Sequence, residues 1–163
     1  MTDLRQTVEM PEKVTPVVIF GSGSIVTDAH LPAYRDLKVP VAGIYDPDLA
    51  KAQKVAGAWG TIAFETLEQA ASQAGVVFDL AVPPAAIPEL LEALPDGAIA
   101  VIQKPLGSDL GEADRIVSVL RRKNIKAAVN FQLRFAPNSL AIKDAIAKGL
   151  LGDIVDFDAW LAL

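Results

Sequence analysis

The chain has no cysteine among its 163 residues, which excludes disulfides and thiolate metal sites and fits a reducing cytoplasm. Histidine is almost as scarce. His30 stands alone with no second ligand or orienting partner near it in sequence, so it reads as a structural residue and no metal site is expected. No apolar run approaches the roughly 18–20 residues of a membrane span. Residues 1–14 carry Asp3, Glu9, Glu12 and Pro11 and contain no apolar h-region, so a signal peptide is not expected. Basic charge is in deficit, with 15 Lys and Arg against 20 Asp and Glu and a net charge of −5. That is the wrong sign for a surface that tracks phosphate backbones. Nucleic acid and membrane are therefore not expected partners. Low-complexity tracts and repeats of solenoid period are also missing.

What the chain has is apolar residue, 52% against 21% charged, a bias suited to a sheet covered on both faces. Apolar runs alternate with helical patterns throughout. Strands are expected over residues 17–20, 39–45, 61–64, 76–82, 98–103 and 126–131. Helices are expected over 25–37 (kinked or restarted at Pro32), over 48–58 behind Asp46 or Asp48, and from Thr66, where Gln69 completes a capping box. Further helices follow over 87–94 and 109–123, the last with Ala113, Ile116, Val117 and Leu120 on one face. Strands and helices alternating at this spacing predict an α/β fold with a doubly wound parallel sheet. Residues 1–135 are read as that domain. Residues 136–163 break the alternation, with a helix over 138–148 closed by Gly149 and a strand over 154–163. They read as a linker helix and the first strand of a second α/β domain. The apolar edge of that strand, with Phe157, Trp160, Leu161 and Leu163, needs cover, and a homo-oligomer pairing through residues 154–163 is expected.

The chemistry begins at Val17-Val18-Ile19-Phe20-Gly21-Ser22-Gly23-Ser24-Ile25, an apolar strand that runs into a Gly-x-Gly turn. Gly21 can turn without steric penalty, and Gly23 lacks a side chain, so a pyrophosphate can approach its backbone. A helix opening near Ser24 offers free N–H groups and the positive end of its dipole. This is the first half of a dinucleotide-binding βαβ unit. Its third fingerprint position is Val26, where a smaller residue would pack more closely. Asp46 ends the second strand at the spacing of a carboxylate that accepts ribose hydroxyls, or it caps the helix that follows. The ribose role favours NAD over NADP, because a carboxylate repels a 2′-phosphate. Val82 and Pro83, at the end of the fourth strand, wall the adenosine or merely stop the strand.

Gln103, Lys104 and Pro105 follow the fifth strand on the same edge as the glycine turn. Lys104 is the candidate catalytic group: it can hydrogen-bond a substrate hydroxyl as hydride leaves, or act as general acid and base if desolvated. The alternative is a solvated lysine at a strand end. Asn130, Gln132 and Arg134 alternate beyond the sixth strand, and either ring a ligand or mark the domain border. The candidate cofactor-binding set is thus Gly21, Ser22, Gly23, Ser24, Ile25, Asp46, Val82, Pro83, Gln103, Lys104, Pro105, Asn130, Gln132 and Arg134.

Together these runs resemble the glucose–fructose oxidoreductase / inositol dehydrogenase (Gfo/Idh/MocA) family. The resemblance rests on the glycine turn, on His30-Leu31-Pro32-Ala33, on Tyr45-Asp46-Pro47-Asp48 and on Gln103-Lys104-Pro105. It continues through Asn130-Phe131-Gln132-Leu133-Arg134-Phe135 and Gly149-Leu150-Leu151-Gly152-Asp153-Ile154. It implies a Rossmann fold, NAD or alternatively NADP as cofactor, and hydride transfer on a sugar, polyol or related hydroxy compound. It also implies that Lys104 stands where the family's Glu-Lys-Pro lysine lies, between nicotinamide and substrate. Three residues depart from the pattern: Gln103 replaces the glutamate, Ile87 stands where a histidine often follows the proline loop, and Val26 fills the small position. The family carries a second α/β domain of about equal size, so these residues alone are expected to turn over little or no substrate. A non-catalytic dinucleotide-sensing module is the alternative.

Overall fold

The structure, a computed structural model, describes residues 3–160. Its contacts divide it into two compact units. The larger, Glu12–Asn130, holds β1 (Val17–Phe20), α1 (Leu31–Asp36), β2 (Val41–Tyr45), α2 (Leu49–Trp59), α3 (Leu67–Ala71), β3 (Val77–Leu80), α4 (Ile87–Ala93), β4 (Ile99–Ile102), α5 (Leu110–Arg122) and β5 (Lys126–Val129). The five strands form one sheet in the order β2-β1-β3-β4-β5, every neighbouring pair parallel. This is the doubly wound Rossmann-type arrangement.

The third expected strand, residues 61–64, is reduced to a single parallel bridge between Ile44 and Ala63. The Thr61 N–H turns back to the Ala56 carbonyl of α2 at 3.0 Å and its hydroxyl donates to the Val41 carbonyl at 2.9 Å, so the ladder holds only at Ile44, which pairs with the Ile62 carbonyl and the Phe64 N–H. Counted with that bridge, the strands run in the mononucleotide-binding order of two βαβ halves meeting at β1 and β3.

Strand alternation sends side chains to two cores. Val18 and Phe20 of β1 pack with Phe78, Leu80, Ala100 and Ile102 against Leu90 and Leu91 of α4 and Ile116 of α5. Val17 and Ile19 face the other way, with Ile44, Val26, Leu31 and Val55. Each large apolar side chain fully removed from water contributes about 1.5–3 kcal/mol before entropy is counted. Val119 and Leu120 complete the buried face of α5, one turn on from Ile116.

Helix boundaries follow their caps. Asp48, not Asp46, caps α2, its carboxylate accepting from Lys51 N–H at 3.1 Å. Thr66 accepts from Gln69 N–H, but the Gln69 side chain bonds Glu65 N–H at 3.0 Å, one residue earlier than a capping box predicts. Ahead of α1 the helix widens over Val26–His30, where Leu31 N–H reaches back to the Val26 carbonyl. Pro32 cannot donate, and its ring would press on the carbonyl one turn earlier. A five-residue turn just before it relieves that conflict. The expected kink is therefore a widened turn, and it leaves His30 buried.

The smaller unit joins residues 3–11 to the segment from residue 131 onward. Its helix α6 (Pro137–Ala147) carries Asp144, whose carboxylate accepts from Arg5 N–H at 3.0 Å and from the Lys148 ammonium at 2.6 Å. Lys148 also donates to the Asp3 carbonyl. The strand expected over 154–163 is not formed at residues 154–160, because no described residue offers it a ladder; residues 161–163 lie outside the described ones.

Candidate functional site

Five parallel strands bring their carboxyl ends to one edge of the sheet. The residues immediately beyond those ends are the ones the sequence singled out. Gly21 to Ile25 follow β1, Asp46 follows β2, Val82 and Pro83 follow β3, Gln103, Lys104 and Pro105 follow β4, and Asn130 follows β5. Gln132 and Arg134 fall in the smaller unit, inside a tight turn over Gln132–Phe135, where three residues per turn remove the strand-like alternation expected of them.

Gly21 is required by the fold. Its φ is +100°, and a Cβ there would stand 2.4 Å from the Ala81 carbonyl oxygen. Gly23 is different, with nothing within 4 Å of the position a Cβ would take, so only an incoming group would feel one. Ser22 between them is gripped by Asp46, which accepts from both the Ser22 N–H at 2.8 Å and its hydroxyl at 2.6 Å on Oδ2. The other oxygen accepts from Asp48 N–H at 3.0 Å. A carboxylate offers about four lone-pair sites, which leaves one on Oδ1. Burial works to raise the Asp46 pKa, but the Ser22 hydroxyl, the Asp48 and Ser22 N–H groups and the Lys51 ammonium outweigh it and hold the group below its usual 3.8. Asp46 is therefore an anion throughout the neutral range.

Beside the turn lies a cavity of about 120 Å³ lined by Gly21, Tyr45, Pro47, Leu67, Val82 and Leu90, apolar except for Glu89 at its border. Val82 borders it; Pro83 is exposed beyond. Burial, then the charges of Glu68, Asp46 and Glu89, push the Tyr45 phenol up, keeping this wall uncharged.

On the other side of the turn, Lys104 is exposed, joined to Pro105 by a cis bond. Its backbone N–H donates to Gln103 Oε1 at 2.9 Å. The Gln103 amide nitrogen lies 2.9 Å from His30 Nε2, and His30 Nδ1 lies 2.6 Å from Asp79 Oδ2. The Tyr34 hydroxyl donates to the same oxygen at 2.8 Å. Burial, then the charge and hydrogen bond of Asp79, push the Tyr34 phenol far above its usual range. Asn130 lines an open cavity of about 300 Å³ with His30, Tyr34 and Val101.

A sequence model of the Gfo/Idh/MocA family, described as an oxidoreductase family with an NAD-binding Rossmann fold, matches residues 15–131. The chain belongs to this family. Among curated relatives, it is 31% identical over 123 residues to the candidate oxidoreductase YceM of Salmonella typhimurium, covering 73% of this chain. It is 26% identical over 148 residues to the uncharacterized oxidoreductase sll0816 of Synechocystis, covering 88% of this chain. The chain spans 39% of the length of each. Its fold matches a candidate myo-inositol dehydrogenase of Sinorhizobium meliloti with a TM-score of 0.73 at 23% identity, over 86% of this chain and 43% of that one. It also matches a super-repressor mutant of Gal80p of Saccharomyces cerevisiae with a TM-score of 0.75 at 22% identity, over 87% and 41%. The larger unit thus carries the NAD-binding Rossmann fold of the Gfo/Idh/MocA oxidoreductase family.

Two of this Gfo/Idh/MocA chain's departures are core residues. Val26 and Ile87 are both fully buried, Val26 in the widened turn and Ile87 at the head of α4. Sequence reasoning missed Asp79 and Tyr34. The available signal was a carboxylate in the middle of the apolar run Val76-Val77-Phe78-Asp79-Leu80-Ala81, a position that a charge occupies only with partners.

The two glycines should separate in a stability measurement. Gly21→Ala is expected to destabilise the chain by about 1–3 kcal/mol in urea unfolding, and Gly23→Ala to change it by less than about 0.5 kcal/mol. Equal effects would contradict the assignment of one glycine to the fold and the other to a ligand.

Proposed function

We propose that this chain is the dinucleotide-binding portion of an NAD(P)-dependent oxidoreductase that acts on the CH–OH group of a sugar, polyol or related hydroxy compound. The observation that carries the reading is the grip of Asp46 on Ser22. It holds an open Gly23 backbone over the same sheet edge that presents Lys104. The residues fit the cofactor. Gly23, Ser24 and Ile25 offer backbone at the head of a helix while Ser22 is held by Asp46, the remaining lone pair of Asp46 accepts a ribose hydroxyl, and Val82, Tyr45 and Leu67 wall a base. When bound, the nicotinamide supplies the hydride acceptor or donor.

Lys104 handles the proton of the substrate hydroxyl, its backbone held by Gln103. Gln103 keeps the backbone bond that a glutamate would make, which supports a working lysine over a decayed one. A reaction of this kind needs a site closed to water, and no described residue covers the exposed Lys104. We therefore expect these residues alone to bind cofactor and turn over little. The absence of cysteine supports a cytoplasmic location, and among the described residues no helix is long and apolar enough to cross a membrane.

The cofactor reading is tested by calorimetric titration with NADH and NADPH. A 2′-phosphate beside the Asp46 anion costs about 1–4 kcal/mol in Coulomb energy at this range, so NADH should bind about tenfold or more tighter. Asp46→Asn should narrow that gap, and Gly23→Val should abolish both. Equal affinities in the wild type would contradict the ribose role of Asp46.

Val155 and Trp160 are 96% exposed and Phe157 68%, an apolar stretch that supports pairing with a second copy. Sedimentation should show self-association that Phe157→Asp with Trp160→Ser reduces. A monomer at high concentration in the wild type sinks the pairing.

A further inference from the structure

Asp79 is a wholly buried carboxylate on a central strand, and one oxygen makes all of its hydrogen bonds. Oδ2 receives Tyr34 and meets His30, while Oδ1 has no partner among the described residues. From there the contacts run outward through His30 and Gln103 to the backbone of Lys104. Each link has a polarity. The Lys104 N–H can only donate, so the oxygen of the Gln103 amide must face it and the NH₂ must face His30. An NH₂ group cannot accept. His30 Nε2 must therefore carry a lone pair, and the imidazole proton sits on Nδ1, where it donates to Asp79.

We propose that Gln103 is a positioning residue: it ties the Lys104 backbone to the buried His30–Asp79 pair, and its amide reverses when His30 takes up a second proton. The groups that face His30 are Asp79 from β3, Tyr34 from α1 and Gln103 from the end of β4, with Asn130 bordering the same cavity. A second proton puts an N–H on Nε2, opposite the NH₂ of Gln103. Two donors cannot face each other at 2.9 Å. The amide must turn its oxygen to His30, and the Lys104 N–H then loses its acceptor. Protonation of His30 thus neutralises the Asp79 charge and loosens the segment that carries Lys104. A glutamate at this position would not couple the two events, since both its oxygens accept and the Lys104 bond survives either state. The departure from the Glu-Lys-Pro pattern is what creates the linkage. Its consequence for chemistry rests on the role of Lys104 given above; the linkage itself does not.

His30 is the only histidine, so nitrogen NMR of the whole chain reads it without ambiguity. The neutral form should show its proton on Nδ1 and a bare Nε2. As pH is lowered and His30 becomes an imidazolium, the Lys104 amide should exchange about tenfold faster than its intrinsic pH dependence predicts, with the midpoint of the His30 signals. In Gln103→Glu, Lys104 protection should stay constant over the same pH range. A neutral His30 with its proton on Nε2, or a wild-type Lys104 amide indifferent to His30, overturns the proposal. So does coupling that persists in Gln103→Glu. The wild-type titration alone decides if that variant does not fold.

Discussion

A single carboxylate organises the glycine-turn edge of this sheet. Asp46 reaches from the end of β2 to the turn after β1 and takes both polar groups of Ser22. Through that grip the glycine turn is held at the sheet, with Gly21 against the Ala81 carbonyl and Gly23 open. The same contact sets the charge of the edge, because the hydrogen bonds that fix the loop also keep Asp46 ionised. As a group whose folded pKa is depressed, Asp46 contributes its stabilisation above the usual carboxylate value, and loses it as pH falls through the lower folded value.

The second constraint is inside the sheet. A carboxylate at Asp79 would be expensive in an apolar core, and the fold answers by bringing Tyr34 and His30 onto it from the helix after the glycine turn. That helix delivers His30 inward because the turn before Pro32 is widened. A proline, a buried aspartate and the residue before Lys104 are thereby parts of one arrangement, although they are far apart in the chain.

Much of this was legible in the sequence. The apolar strand ending at Gly21, the spacing to Asp46 and the alternation of elements identified the sheet and the one edge where most of the candidate residues gather, since both follow from local pattern. The third strand is shorter than expected because nothing local says that the Thr61 N–H will turn back to the Ala56 carbonyl of α2. Asp46 was offered a capping role that Asp48 performs. Gln132 and Arg134 were placed on a continuing strand, yet the chain turns there. His30 looked partnerless because its partners are 49 and 73 residues away, and a contact of that separation exists only once the sheet is assembled. Gln103 looked like a weakened motif until its amide was seen to be used at both ends.

The central claim is that the carboxyl edge of this sheet holds a dinucleotide across the glycine turn. Titrating the isotopically labelled chain with NADH and following every backbone amide tests it most directly. The account predicts the largest shifts at Gly21 to Ile25, at Asp46 and Val82, and at Lys104. Shifts confined to the smaller unit, around Arg5 and Lys148, or none at millimolar cofactor, would contradict it.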